Sequence, residues 1–164
     1  MNINKFKTIS QKQMGAAIES LEKAINECPD KFWGDLSHHT EFWYIAYHTI
    51  FFLDFYFAES RDNFTPPAPF SLSELDPSGL LPERVYTKKE LLSYLIYGKN
   101  QFNNVIDNLT NEKADEPFAF GSLDFSFAEL ILYKIRHVQH HAAQLNLILR
   151  QKTDSAPRWV KTAE

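Results

Sequence analysis

A chain of 164 residues with 44% hydrophobic and 23% charged positions is sized for one globular domain, taken as residues 1–164, and not for a disordered or low-complexity protein. Its 17 Lys and Arg against 21 Asp and Glu leave a net charge of -4, which gives no clustered positive surface for nucleic-acid phosphates. With Cys28 as the only cysteine, no intrachain disulfide and no thiolate-built zinc or iron–sulfur site can form, so a reducing, cytoplasmic setting is expected.

From Met1 to Lys7 there is no apolar run of export-signal length. Met14, Ile18, Leu21 and Ile25 then recur at helical spacing, and Pro29 closes this first helix. The second helix is predicted from Thr40 to Glu59, with Trp43, Ile45, Phe51, Phe52, Leu53, Phe55 and Phe57 nearly all round it, which marks it as the most buried element. Its apolar stretch Phe42–Ala58, broken by His48, Thr49 and Asp54, falls short of the ~20 residues a bilayer span needs, so no membrane partner is expected.

The next segment, 60–86, holds Pro66, Pro67, Pro69, Pro77 and Pro82 and at roughly 27 residues exceeds the usual connection between bundle helices several-fold. It is long enough to run back along helices of ~30 Å, which allows the second and third helices to be parallel. Thr87 with Glu90 reads as a capping box opening the third helix, whose stripe is Leu91, Leu92, Leu95, Phe102, Val105, Ile106 and Leu109 despite Gly98. Phe118–Phe127 alternates around Gly121 and fits a short hairpin. A second box, Ser126 with Glu129, opens the last helix, which Leu130, Ile131, Val138, Leu145, Ile148 and Leu149 carry to Gln151. In the polar tail, Trp159 is expected to dock. Together these elements predict an all-α four-helix bundle, up-down-down-up, with the long crossover between helices 2 and 3.

A domain of this size builds its core without a structural metal, so any metal is expected to be functional. Six histidines occur: His38, His39 and His48 around the second helix, and His137, His140 and His141 in the last. At about 100° per residue with His137 at zero, the apolar residues Leu130, Val138, Leu145 and Ile148 lie between about 20° and 100°. His141 falls at about 40°, toward the core, and His140 at about −60°, toward the polar flank. His137 and His141, one turn apart, can reach one ion, and His48 in the most apolar helix is the natural third ligand, because a lone buried ring there is costly. Three histidines leave coordination positions open, as a catalytic site does. Lys134, at about 60°, is expected to snorkel at a bundle end, and Gln144, at about −20°, either to bond a ligand's ring or to be solvated. Glu41 and Glu59, each about 20° from His48, read as solvated end residues.

The run RHVQHHAAQLNLILRQ, Arg136–Gln151, resembles the last-helix signature of the DinB-like superfamily, the group that also contains the bacillithiol S-transferases and mycothiol-dependent isomerases. The segment FWYIAYHTIFFLDFYF, Phe42–Phe57, is similar to that family's second helix, and the long crossover and the FGSL stretch agree with it. The resemblance implies a four-helix bundle, often a homodimer, holding a divalent metal such as nickel or zinc on the residues corresponding to His48, His137 and His141. It further implies a low-molecular-weight thiol whose pKa the metal lowers, so that thiolate attacks an electrophile. Ala142 and Ala143 stand where the family commonly has arginine and glycine, so no substrate contact by that arginine carries over.

The expected function is therefore a metal-dependent transferase acting on a small-molecule substrate with a small thiol as cosubstrate. Metal-assisted hydrolysis is the near alternative, since a metal-bound water reaches a pKa near 7. The rival class is a non-catalytic, stress-related or dimerisation bundle, in which the histidines form an ion-free polar network and the 14 Phe, 7 Tyr and 3 Trp serve packing or a subunit interface. The sequence nominates no catalytic base.

Overall fold

The computed structural model describes residues 2–58, 60–121 and 123–163. Helix α1 spans Ile3–Glu27, α2 Phe42–Phe57, α3 Lys88–Asp107, the short α4 Asn111–Asp115, and α5 Phe127–Thr153. Strands β1 (Pro117–Phe120) and β2 (Leu123–Ser126) form an antiparallel hairpin that pairs Pro117 with Ser126 and Phe120 with Leu123. The fold is a mostly helical bundle with this one small ribbon.

Local chemistry sets the boundaries. Both predicted capping boxes are formed: Thr87 and Ser126 each accept from the backbone N–H three residues on, while Glu90 and Glu129 reach back to the cap. Helix α1 starts well before Met14, because the Asn2 side chain accepts from the N–H groups of Asn4 and Lys5. Helix α2 is shorter than predicted, Phe42–Phe57, and Glu59 lies outside the described residues. The short α4, capped by Thr110, gives no sequence pattern long enough to read. Gly121, with φ of 59°, takes the left-handed conformation at the hairpin turn.

Side-chain contacts fix the helix directions. Lys7 and Gln11, early in α1, donate to Asp107 at the end of α3, and Lys88 at the start of α3 donates to the carbonyl of Cys28 just past α1. These two helices run in opposite directions. Leu53 meets Gly98, and Phe57 meets Phe102 at 5.2 Å between ring centroids, so α2 and α3 run the same way, as the long crossover permits. A Cβ at Gly98 would stand 3.3 Å from Leu53 Cδ2; glycine inside α3 lets the two helices approach closely.

Helix α2 packs between α3 and α5. Trp43, Tyr47, Ile50, Phe51, Leu53 and Phe55 are all buried, and each large apolar side chain so placed contributes about 1.5–3 kcal/mol. Phe120 of the hairpin closes over the end of α2, 5.2 Å from Phe55 and 5.7 Å from Tyr56. The tail docks differently from the expectation. Trp159 is 67% exposed, and Pro157 and Val160 are the buried residues; in this extended segment Pro157 and Val160 turn inward and Trp159 outward. No helix among the described residues is long and apolar enough to cross a membrane.

Candidate metal centre

Helices α2 and α5 lie antiparallel, so one turn up α2 corresponds to one turn down α5. His48 faces His141, Phe52 faces His137 at 6.2 Å, and Lys134 lies over the Tyr56 ring at 4.3 Å. The three predicted histidines therefore converge. Their ring centroids are 5.4 Å (His48–His137), 4.9 Å (His48–His141) and 4.5 Å (His137–His141) apart. One ring nitrogen of each lies within 4.8 Å of the others, all three residues being half-buried, and together they could hold a metal ion. His140 is exposed, with its ring 5.1 Å from that of His141, and points away from the cluster as the helical angle predicts.

Each ring is held at Nδ1. His48 Nδ1 lies 2.7 Å from Glu74 Oε2, His141 Nδ1 lies 2.6 Å from Gln144 Oε1, and His137 Nδ1 lies 3.3 Å from Lys134 Nζ. Against the carboxylate and the amide oxygen, which only accept, Nδ1 must donate, leaving the Nε2 lone pairs of His48 and His141 free. Gln144 is thus a ring partner although it is exposed. Burial pulls His137 down to about 2, helped by the charge of Lys134, and pulls His141 down to about 4 against the Gln144 bond. Neutral imidazole is the form that binds a metal.

Lys134 corrects the sequence reading. It does not snorkel: it is fully buried on the apolar face, among the rings of Tyr56, Phe52 and Tyr133. The angle of about 60° placed it on the right face, but near the end of α2 the amine meets the rings of Phe52, Tyr56 and Tyr133, and the hairpin packs Phe118 and Phe120 on Tyr56. Burial holds its amine well below the usual lysine range. Glu41 is also not a free surface residue; it is half-buried at the N-cap of α2 and accepts from Ser37 Oγ at 3.3 Å.

Two spaces adjoin both His48 and His141. One, of about 280 Å³, is walled by the three histidines, Phe52, Tyr56, Tyr133 and Lys134. The other, of about 440 Å³, shares His48 and His141 and is bounded by His39, Tyr44, Ile45, Gln144 and the crossover residues Ser73, Glu74, Asp76 and Gly79. Burial, and next the Glu74 carboxylate, raise the Tyr44 phenol. Sequence reasoning missed both Glu74 and Tyr44. Tyr44 precedes His48 by one helical turn and was findable by that spacing; Glu74 sits in a one-turn 3-10 helix, Ser73–Leu75, where no periodicity operates.

The residues present suit a cation. The donor set is three imidazole nitrogens, and beside them the Glu74 carboxylate is buried against His48 Nδ1. A carboxylate taken out of water carries a desolvation cost, and a positive ion across the His48 ring offsets it.

No curated protein and no solved structure matches the chain. A family model described as the DinB superfamily matches residues 13–145, a span that contains α2, the crossover, α3 and the three histidines. The chain belongs to the DinB superfamily.

Proposed function

We propose that the chain is a metal-dependent transferase that uses a low-molecular-weight thiol, with His48, His137 and His141 holding a divalent transition metal, nickel or zinc. The observation that carries this reading is the convergence of three half-buried histidines, two of them bonded at Nδ1 to oxygen acceptors, next to two pockets. When bound, the cation supplies the positive charge that makes a thiol acidic enough to be thiolate at neutral pH. The chain's own residues do the rest. Glu74 and Gln144 orient the rings, Phe52, Tyr56 and Tyr133 exclude water, and the larger pocket accepts a small-molecule substrate.

The protein supplies no thiol there itself. Cys28 is sealed at the end of α1, 1% exposed, and burial pushes its thiol up to about 11. The nucleophilic sulfur must arrive as a cosubstrate, which is why a small thiol is part of the proposal. We place the protein in the cytoplasm as a homodimer; sedimentation of the purified protein at the mass of one chain would remove the dimer.

The test is metal analysis of protein purified without an affinity tag, followed by incubation with small thiols and an electrophile in parallel with ester and amide substrates. Metal-dependent consumption of thiol and electrophile together is the expected result. Cleavage of an ester or amide without thiol turns the reading to a hydrolase, and protein that takes up no metal on reconstitution turns it to a non-catalytic bundle.

A further inference from the structure

Glu74 of the long crossover bonds into the histidine cluster through its side chain, and the crossover is fastened where it does so. Tyr47, which precedes His48 on α2, donates through its hydroxyl to the carbonyl of Ser71 at 2.8 Å, and the Ser71 N–H donates to the Tyr86 hydroxyl at 3.1 Å. The Ser73 hydroxyl lies 3.0 Å from that of Ser71. These contacts set the turn Ser73–Leu75 against α2, and the Glu74 side chain reaches His48 Nδ1 at 2.7 Å.

A surface ion pair looks different from this. Glu74 is 4% exposed, gives one oxygen to the His48 ring and has the Tyr44 phenol beside its carboxylate. Acceptor-only at this contact, it allows a single tautomer of the neutral ring, Nδ1–H, and so leaves the Nε2 lone pair toward the centre. Histidines that bind metals are commonly oriented by such a carboxylate, which also makes the ring a stronger donor. We propose that Glu74 is a positioning residue for His48: it fixes the ring's orientation and tautomer so that Nε2 faces His137 and His141, making the crossover a part of the metal centre although it contributes no ligand. The metal half of this statement rests on the function proposed above; the tautomer half does not.

Two measurements on the full chain decide it. In metal-free protein, nitrogen-15 spectra of the His48 ring are expected to show the Nδ1–H tautomer, and Glu74→Ala to shift the ring toward Nε2–H. With zinc or nickel ions alone, chelator competition is expected to give roughly 10–100-fold weaker binding for Glu74→Ala, with Glu74→Gln in between because its amide oxygen still accepts. A folded Glu74→Ala protein with the wild-type tautomer and wild-type metal affinity overturns the assignment. If Glu74→Ala does not fold, Glu74→Gln carries the same comparison, and unchanged affinity there overturns it equally. If the wild-type chain takes up no metal, the proposed function fails while the tautomer shift still decides the role of Glu74: a shift supports it and no shift overturns it.

Discussion

Helix α2 turns an acid toward α3 and a histidine toward α5, and the two are accommodated differently. Toward α3, Asp54 is 2% exposed and its Oδ2 accepts from the Tyr94 hydroxyl at 2.9 Å. Toward α5, about 120° away around the helix, His48 joins His137, His141, Glu74 and Lys134 from three segments of chain, beside open space. The first inclusion is one acid answered by one hydroxyl, as a core tolerates. The second brings three imidazole rings together, with one nitrogen of each within 4.8 Å of the others, and sets a buried carboxylate against one of them. A polar group in a core is therefore informative through what its partners leave over, and not through its burial.

The largest effect that sharpens this contrast is loss of the ion. Atomic absorption on untagged protein is expected to find about one transition metal per chain, none in His137→Ala or His141→Ala, and a normal content in His140→Ala. Metal retained by either cluster variant would break the contrast. Asp54→Asn is expected to leave metal content unchanged and to alter only stability. Burial lifts the Asp54 carboxyl from 3.8 to about 6, so the unfolded chain releases its proton first as pH rises. Stability falls between about pH 4 and pH 6 and is flat above. The Asn variant removes that slope, gaining on the order of 1–3 kcal/mol at pH 7 while an amide oxygen still accepts from Tyr94; denaturant midpoints across that range check it.

Gln144→Ala frees His141 Nδ1 from its acceptor and is expected to weaken metal binding about 10-fold in chelator competition. The smallest effect is that of Ser126→Ala, which removes the cap of α5 and costs about 1 kcal/mol in thermal or urea melts, with metal affinity unchanged. If it weakened metal binding as much as Gln144→Ala does, ring orientation would depend on the whole helix and not on local partners.

The bundle was legible because its signals are local: two capping boxes, a proline after the first helix, and a 3.6-residue period in α3 and α5. The centre was legible where it lies on those helices, since one angle per residue placed His137, His141, Gln144 and Lys134 on a common side. What Lys134 touches was not legible, because an angle gives a direction and not the depth at which a neighbouring helix covers it. Glu74 was invisible for a deeper reason. It reaches His48 across 26 positions through irregular backbone, and only the tertiary course of the crossover brings it there.

The sealing of Cys28 at the end of α1 has a practical side. A protein whose sole sulfhydryl is covered contributes almost nothing to a colorimetric sulfhydryl count, and it does not alkylate itself when challenged with electrophiles. Any decline in free sulfhydryl in a mixture then measures the added small molecule directly, so consumption of a thiol can be followed with the protein present at high concentration and without a background correction.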